Sequence, residues 1–389
     1  MWLAFYLWVS LCTIFFGSLG IYYLYMKNKA SKPWNLNFEE GYEPSLSILI
    51  PMHNEEKTIR FKLENLSKVR YPPEKMETIL VNDASTDKTL DEINEFVTHN
   101  SRLGIKVLNR TEHEGKISSL NFALKQAKGE VIILSDADCF WPADILTKAL
   151  PYLSSSNVGA IAGRESLLNL PTSLTVRGEL FYDKTVQLIR VGESKVHSTI
   201  FFQGGFSAFK RSLLDEFDRE TDDSGTAFNI VQQNSRALLV ADAYFYTLFP
   251  TNWINKVFLK IRRANQLQRI WGKCLKLSLR EKVVLPKRIA LPEIFLHIFN
   301  PIIFIALILT TAFVIVEQPL FLYALLFVLL SAMLFSKIRT PLIEIIQNNL
   351  ILFFAMFAFL KNKQFRVWKT AQESRFLINE EILRERQLI

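Results

Sequence analysis

Cysteine and histidine are scarce in this 389-residue chain, and their scarcity excludes several classes of protein. The three cysteines (Cys12, Cys139 and Cys274) are too few and too scattered for a disulfide framework, which favours a reducing cytoplasm. The five histidines form no zinc-type spacing. Internal repeats, low-complexity stretches and aromatic–basic nucleic-acid motifs are also missing, although the formal net charge is +8. The basic excess therefore indicates anionic lipid or diphosphate partners rather than nucleic acid.

Charged residues are absent from the first 26 residues, and this apolar stretch is long enough to span a bilayer. A cleaved signal peptide is the alternative, but the stretch is too long, has no basic start and precedes no small-residue cleavage site. Lys27, Lys29 and Lys32 follow it. The positive-inside tendency therefore predicts a cytoplasmic domain at residues 33–285 and a multi-pass protein of the cell membrane.

Apolar segments return in the last quarter of the sequence. Residues 294–316 and 320–335 predict a membrane hairpin with an acidic tip outside. For residues 341–360 we expect an interfacial or re-entrant element, because a further crossing would place the basic residues of 361–369 outside; a full span is the alternative. Residues 286–389 are thus predicted to form a membrane region with a basic tail.

Three apolar runs are each followed by polar residues and flanked by helix-like segments. The runs are residues 47–50, 78–81 and 131–134. This alternation predicts an α/β fold: a mostly parallel central sheet with helices on both faces, and ligands bound beyond the carboxyl ends of the strands. The polar residues expected to meet at that edge are Asn54, Glu55, Asp83, Asp136 and Asp138.

Asp136 and Asp138 are the clearest indication of a metal site. Side chains at positions i and i+2 of an extended backbone point the same way, so both carboxylates face one spot. Two like charges held together are costly unless a cation lies between them, and all-oxygen ligation suits Mg²⁺ or Mn²⁺. The alternative is a pair on a solvated turn. For Asp83 and Asp87 the alternative is helix capping or turn formation.

Four motifs in this order resemble the successive signatures of family 2 glycosyltransferases. They are Ile48-Leu-Ile-Pro51-Met-His-Asn54-Glu55, Val81-Asn-Asp83-Ala-Ser-Thr-Asp87, Gly115-Lys116-(x)4-Asn121-(x)2-Leu124 and Asp136-Ala-Asp138. The resemblance, to the group of cellulose, chitin-oligosaccharide and poly-N-acetylglucosamine synthases, covers roughly residues 45–275. It implies an inverting enzyme with the nucleotide-sugar-binding GT-A fold. The donor-binding residues that it implies are Pro51, Asn54, Glu55, Asp83 (at the base), Lys116, Asp136 and Asp138 (at the diphosphate-bound metal).

The acceptor side of the resembled site falls in the second half of the domain. Gly204 and Gly205 match a stretch that lines its acceptor end, although a tight turn between buried segments explains them as well. Asp222 and Asp223 match an acidic pair whose last member is the catalytic base. The resemblance therefore predicts Asp223 as the base and Asp222 as its neighbour, while Asp223 also suits the N-cap of a helix.

A basic amphipathic stretch at residues 254–272 predicts a helix on the lipid interface. Many membrane members of the family carry Gln-x-x-Arg-Trp here, at the acceptor and the diphosphate. The residues that match this motif in part are Arg263, Gln266, Arg269 and Trp271. One extra residue precedes the tryptophan, and this departure puts processive polymer synthesis in doubt.

These features predict a membrane-bound, metal-dependent inverting glycosyltransferase. Its donor is expected to be a UDP-linked sugar, and its acceptor a lipid, a lipid-linked sugar or a growing glycan. A processive polysaccharide synthase is one alternative. A catalytically degenerate, membrane-anchored sugar-nucleotide-binding or scaffold protein is another, but the intact set of acidic residues argues for an enzyme. The sequence gives no indication of the oligomeric state.

Overall fold

The computed structural model of the chain describes residues 2–100, 104–169, 174–361, 375 and 377–389. It divides the chain into two compact units. The helical unit comprises Met1–Ser31, Pro171–Ile189 and Asn252–Gln364, and the sheet unit comprises Lys32–Leu170, Arg190–Thr251 and Phe365–Ile389. Residues 252–285, predicted to belong with the sheet, are thus part of the helical unit. The basic residues of the predicted tail at 363, 366 and 369 lie outside the described residues.

A seven-stranded mixed sheet is the centre of the sheet unit. Its strands are β1 Leu46–Met52, β2 Met76–Asp83, β3 Ile105–Arg110, β4 Val131–Leu134, β5 Val158–Leu167, β6 Ser207–Lys210 and β7 Arg236–Thr247. They lie in the order β3-β2-β1-β4-β6-β5-β7. The first four strands are mutually parallel, as the alternation of strands and helices predicted, and β5 is parallel to β7. Only β6, among the described strands, runs antiparallel to its neighbours.

Helices connect these strands and make up the helical unit. Numbered along the chain, they are α1 Trp2–Ala30, α2 Ile59–Ser67, α3 Thr89–His99, α4 Lys116–Leu124, α5 Ile145–Ala149, α6 Pro151–Ser154, α7 Leu174–Val196, α8 Ser224–Gln232, α9 Trp253–Leu279, α10 Lys287–Ile294, α11 Asn300–Glu317, α12 Pro319–Leu334, α13 Ser336–Leu360 and α14 Glu380–Glu385. A π-helical turn, Phe295–Phe299, joins α10 to α11. The fold is therefore the predicted α/β class with apolar helices towards both ends of the sequence.

The central strands β1 and β4 are buried along their whole length, as expected for strands covered on both faces. Their pairing ends at Leu49, whose carbonyl accepts a hydrogen bond from the Ser135 N–H (3.1 Å). Pro51 has the same orientation as Leu49 because backbone groups alternate along a strand. Its missing N–H therefore faces the side on which β4 has already ended. After β4 the chain leaves the sheet, and the turn that follows carries Asp136 and Asp138.

Three helices of the helical unit are long and apolar enough to cross a membrane, judged by length and composition: Trp2–Ala30, Lys287–Glu317 and Ser336–Leu360. Pro319–Leu334 is a shorter apolar helix of the predicted hairpin. The stretch predicted to be interfacial or re-entrant is part of the 25-residue helix α13. That length permits the full span that the sequence left as the alternative, and the topology of this end stays a prediction.

Helix α9 carries two of its lysines inward and part of its apolar surface outward. Lys256 is 1% exposed, and its Nζ lies 2.6 Å from Glu344 Oε1 of α13. Lys260 is also buried, and its Nζ lies 2.6 Å from Glu179 Oε2 of α7. Phe258, by contrast, is 69% exposed. These two lysines therefore neutralise buried carboxylates instead of contributing to a basic surface, whereas the predicted interfacial position of the helix stays a prediction.

Candidate active site

The loops that follow β1 and β2 are joined by Asn54. This residue has a left-handed backbone conformation (φ 56°), which asparagine adopts more readily than most residues. Its Oδ1 accepts a hydrogen bond from the Thr86 N–H (2.8 Å), and its own N–H donates to Ser85 Oγ (2.9 Å). Asn54 therefore fixes two strand-end loops against each other. Its predicted contact with the donor stays a prediction.

Asp83, at the end of β2, is buried and shapes the start of α4. Its carboxylate accepts hydrogen bonds from the N–H groups of Gly115 (2.7 Å) and Glu114 (3.2 Å), and His113 Nδ1 lies 2.8 Å from its Oδ2. Gly115 has φ 91°, a conformation that suits glycine. Asp83 thus holds the turn from which Lys116 projects. The predicted contact between Asp83 and the nucleotide base stays a prediction.

Asp136 and Asp138 lie immediately beyond β4 and face a common point. One ligand atom each from Asp136, Asp138 and Cys139 lie within 4.8 Å of one another. Burial and the two neighbouring carboxylates raise the pKa of the Cys139 thiol well above its usual value, so this group stays protonated and is a poor ligand. Burial, followed by the charge of Asp136, raises the pKa of Asp138. Two carboxylates gathered in this way fit Mg²⁺ or Mn²⁺, which would offset their repulsion.

Lys62 of α2 supports this loop from the protein interior, and the sequence prediction missed it. Its fully buried ammonium donates hydrogen bonds to Ser135 Oγ (2.7 Å) and to the carbonyl of Cys139 (2.6 Å). Burial lowers its pKa to about 8. One signal was available, because Lys62 shares the apolar face of its helix with Ile59 and Leu63. A lysine on such a face indicates a buried polar partner.

Lys116, the first residue of α4, joins the predicted donor side of the site to the predicted acceptor side. Its Nζ lies 2.6 Å from Asp136 Oδ1 and 2.6 Å from Asp222 Oδ2. Burial acts to lower the pKa of Lys116, but the charges of Asp136, Asp222 and Asp223 outweigh it and raise the pKa. The ammonium therefore stays charged at neutral pH. Through it the structure brings together carboxylates that are 86 residues apart in the sequence.

Asp223 is both the N-cap of α8 and a carboxylate with a raised pKa. Its side chain accepts a hydrogen bond from the Ser224 N–H, which confirms the predicted capping role. Burial, followed by the charge of Asp222, raises the pKa of Asp223 to about 7, while Lys116 acts in the opposite direction. A carboxylate that titrates near neutral pH is suited to accept a proton there.

Glycine is required at positions 204 and 205 because neighbouring side chains lie very close to the backbone there. A Cβ added to Gly204 would lie 2.5 Å from Asp136 Oδ2 and 2.6 Å from Lys116 Nζ. The Gly204 carbonyl also accepts a hydrogen bond from the Asp136 N–H (2.8 Å). A Cβ at Gly205 would lie 2.1 Å from the ring of Phe245. Gly204 thus lets the backbone reach the carboxylate–ammonium cluster, whereas Gly205 serves packing.

Glu55 is the most deeply buried carboxylate of the site, with 1% of its surface exposed. Thr58 Oγ1 donates a hydrogen bond to it (2.7 Å), and Arg375, far along the chain, pairs with its Oε1. Burial raises the pKa of Glu55 to about 8; Arg375 opposes this shift, and Asp138 adds to it. Arg375 also acts to lower the pKa of Asp138. Sequence reasoning missed Arg375, because no local pattern distinguishes it.

The four acceptor-side residues predicted on α9 belong to the helical unit: Arg263, Gln266, Arg269 and Trp271. Trp271 is 1% exposed, and its ring stacks on His297 with 5.8 Å between the ring centres. Arg269 is 8% exposed, and its Nε donates to Asn265 Oδ1 (3.2 Å). Both side chains are therefore packed within that unit, and the acceptor and diphosphate roles of all four residues stay predictions.

Comparison with known proteins relates this arrangement to sugar transfer. The family described as "Glycosyl transferase family 2" matches residues 47–218. The probable glycosyltransferase YdaM of Bacillus subtilis is 32% identical over 174 residues, which are 44% of this chain and 41% of that protein. The beta-monoglucosyldiacylglycerol synthase of a Nostoc species is 32% identical over 143 residues, 36% of this chain and 30% of that protein. The aligned regions thus span less than half the length of either relative.

One solved structure is similar over nearly the whole chain. It is the mannosyltransferase PcManGT from Pyrobaculum calidifontis in complex with GDP-Man and Mn²⁺, which superposes with a TM-score of 0.80 at 29% identity. The similarity covers 93% of this chain and 100% of that one. All of these comparisons point to glycosyltransferases. They agree with the sequence motifs and with the topology of the sheet. Residues 47–218 therefore form a glycosyltransferase family 2 domain, and the sheet unit has the GT-A fold.

Proposed function

We propose that this chain is an inverting, metal-dependent glycosyltransferase that moves a sugar from a nucleoside-diphosphate sugar to a hydroxyl of a lipid or lipid-linked acceptor. The observation that carries the proposal is the position of Lys116, whose ammonium lies 2.6 Å from both Asp136 and Asp222. One cation thereby links the predicted metal pair to the predicted base pair. A donor and an acceptor held by these two groups would meet at adjacent atoms, as a single displacement requires.

Asp223 takes the proton of the acceptor hydroxyl in this mechanism. Its raised pKa of about 7 makes it a stronger base than an ordinary carboxylate and leaves it largely deprotonated above neutral pH. Asp222 raises that pKa through its negative charge. The positive charge of Lys116 offsets the repulsion between the two carboxylates. Gly204 allows the backbone to approach this cluster, because a Cβ there would lie 2.5 Å from Asp136 Oδ2.

Asp136 and Asp138 are the residues that would hold Mg²⁺ or Mn²⁺. The bound cation would supply charge stabilisation for the leaving diphosphate. Within the chain, Lys62 fixes the backbone that carries both carboxylates, since it binds the residues on either side of them, Ser135 and Cys139. The donor set is therefore held in place by the protein before any cation arrives.

The comparisons support particular donors and acceptors. The similar mannosyltransferase is described with GDP-Man and Mn²⁺, so GDP-mannose ranks beside the UDP-linked sugars expected from the motifs. The glucosyldiacylglycerol synthase suggests a lipid acceptor, and three helices long enough to span a bilayer would hold the chain beside such a substrate. The catalytic unit is proposed to lie on the cytoplasmic side, where nucleotide sugars are available.

The burial of Trp271 favours the transfer of a single sugar over polymer synthesis. In the resembled family this motif lies at the acceptor site, whereas Trp271 is 1% exposed and stacks on His297. A buried indole has no open face on which a growing chain of sugars would lie. We therefore expect products that carry one added sugar rather than a ladder of lengths.

The test is a donor and acceptor survey with membranes that contain the protein. Radiolabelled GDP-mannose and UDP-linked glucose, galactose and N-acetylglucosamine are incubated with membrane lipid, with and without Mn²⁺, and the products are separated by thin-layer chromatography and mass spectrometry. We expect one donor to label a lipid in a manner that EDTA abolishes. Asp144→Asn, which changes an exposed aspartate, is the control variant. Full transfer in EDTA, or no transfer from any donor, would reject the proposal.

A further inference from the structure

The last described segment of the chain, residues 377–389, is docked on the sheet unit. Leu383 and Leu388 are buried in an apolar cluster that also contains Phe140 and Leu248. Asn65 of α2 is fully buried and donates a hydrogen bond to the Leu388 carbonyl (2.7 Å). The six residues 383–388 are thus bracketed by buried leucines. This segment is an integral part of the sheet unit, although it follows the membrane helices in sequence.

The docking point adjoins the predicted metal loop. Asn65 Oδ1 accepts a hydrogen bond from the Trp141 N–H (2.7 Å), and its Nδ2 also donates to the Trp141 carbonyl (2.8 Å). Trp141 lies three residues after Asp138, and Phe140 of the apolar cluster lies two residues after it. One asparagine therefore binds both the docked segment and the chain that leaves Asp138. Docking and the geometry of the metal loop are physically coupled.

Arg375 lies just before this segment and enters the site itself. Its guanidinium is 7% exposed, pairs with the Glu55 carboxylate, and donates from Nη1 to the Asn54 carbonyl (3.4 Å). Its Nε is buried and has no hydrogen-bond partner among the described residues. A buried donor of a charged group is costly when it is unpaired, so such groups indicate a partner that arrives with a ligand.

The charge balance indicates what that partner is. Glu55, Asp136 and Asp138 give this side of the site three carboxylates, and Arg375 is the cation that pairs with Glu55. Arg269, predicted from the family motif to contact the diphosphate, belongs to the helical unit and donates a hydrogen bond to Asn265, and its diphosphate role stays a prediction. A diphosphate needs cationic donors besides a metal ion, and guanidinium groups suit phosphate oxygens.

We infer that Arg375 binds the diphosphate of the donor through its guanidinium, and that docking of residues 377–389 delivers it to the site. Glu55 holds the arginine in position from the protein side, because it pairs with one end of the guanidinium and leaves Nε for the ligand. The inference rests on the proposed use of a nucleoside-diphosphate donor. It makes Arg375 a part of the donor site and residues 377–389 its support.

The experiment measures the affinity of the purified full-length protein for GDP and for UDP in the presence of Mn²⁺, by isothermal titration calorimetry. Arg375→Met is expected to weaken the affinity for the nucleotide that binds more tightly by about 10- to 100-fold. This is the effect expected from the loss of one charge-assisted hydrogen bond. Arg384→Met is the matched control. Arg384 belongs to the same segment but is exposed and pairs only with Glu380 among the described residues, so its loss should leave affinity unchanged.

A double variant separates ligand binding from mere charge pairing. Arg375→Met alone leaves the buried Glu55 carboxyl without its cation, so that Glu55 must bind a proton or carry an unpaired charge, and this destabilises the fold. Glu55→Gln/Arg375→Met removes both members of the pair. Thermal unfolding is measured for each variant. If the double variant recovers stability but still binds the diphosphate weakly, the inference holds. If it recovers wild-type affinity, or if Arg375→Met binds as tightly as wild type, Arg375 only neutralises Glu55 and the inference is overturned. Failure of the wild type to bind either nucleotide would instead reject the proposed function itself.

Discussion

Replacing Asp223 by asparagine should destroy catalysis and at the same time stabilise the protein at alkaline pH. Asparagine caps a helix almost as well as aspartate, so the hydrogen bond from the Ser224 N–H to the side chain is retained. The base is lost, however, and general-base catalysis contributes about 10²- to 10⁴-fold to the rate. We therefore expect the turnover to fall by about that factor while the affinity for the nucleotide stays near the wild-type value.

The stability gain follows from the pKa of Asp223, which is raised to about 7. Between its ordinary value near 4 and pH 7, the folded state keeps a proton that the unfolded state has released. The stability of the wild type therefore falls as the pH rises through that window, by an upper limit of about 4 kcal/mol at about 1.4 kcal/mol per pH unit. Because Asp223 is partly exposed, solvent screening reduces this to about 1–2 kcal/mol. Asparagine does not titrate, so the variant avoids the loss.

Two measurements on the same protein test this prediction. Thermal unfolding in detergent at pH 5 and pH 8 should show a variant that matches wild type at pH 5 and unfolds at a higher temperature at pH 8. Transfer rates should show a wild type that gains activity as the pH rises towards 7, and a nearly inactive variant. Asp144→Asn is the control for a change of net charge at an exposed position. More than a tenth of wild-type transfer by Asp223→Asn, or a less stable variant at pH 8, would refute the reasoning.

Three further predictions concern the same unit. Asp138→Asn removes one carboxylate of the metal pair and should reduce Mn²⁺-dependent nucleotide binding and transfer by orders of magnitude with an intact fold; unchanged Mn²⁺ dependence would contradict it. Lys116→Met removes a charge that lowers the pKa of Asp223, so the pH–rate profile should shift to higher pH, and an unshifted profile would count against the proposed base. A single cysteine at the exposed Glu95 should react with an impermeant reagent only after cell lysis; labelling of intact cells would reject the cytoplasmic orientation.

The parts of the site that sequence predicted are those with local signals. Apolar runs of four to eight residues indicate buried strands, and the polar residues that follow parallel strands meet at one edge. Asp83, Asp136 and Asp138 follow such strands, and the runs 47–50, 78–81 and 131–134 lie within the observed strands β1, β2 and β4. The raised pKa of Asp223 also accords with two adjacent carboxylates at a helix start, although its catalytic role stays a prediction.

Contacts between residues that are distant along the chain could not be predicted from the sequence. The ion pairs of Lys116 with Asp136 and Asp222, and the hydrogen bonds of Lys62 to the metal loop, depend on how helices pack on the sheet. Helix α9 shows the same limit. Lys256 and Lys260 are part of a predicted basic surface, but in the structure they are buried against Glu344 and Glu179, which are distant along the chain.

Sequence by itself determined the family, the α/β sheet and the edge at which its carboxylates gather, because strand periodicity and ordered motifs are properties of short segments. Tertiary structure alone decided which charges are paired. The partner of Glu55 lies 320 residues away in Arg375, and no pattern in the intervening chain predicts that pairing. Charges interact through space with a strength set by burial and distance rather than by sequence separation. The electrostatics of the site therefore became visible only once the chain was folded.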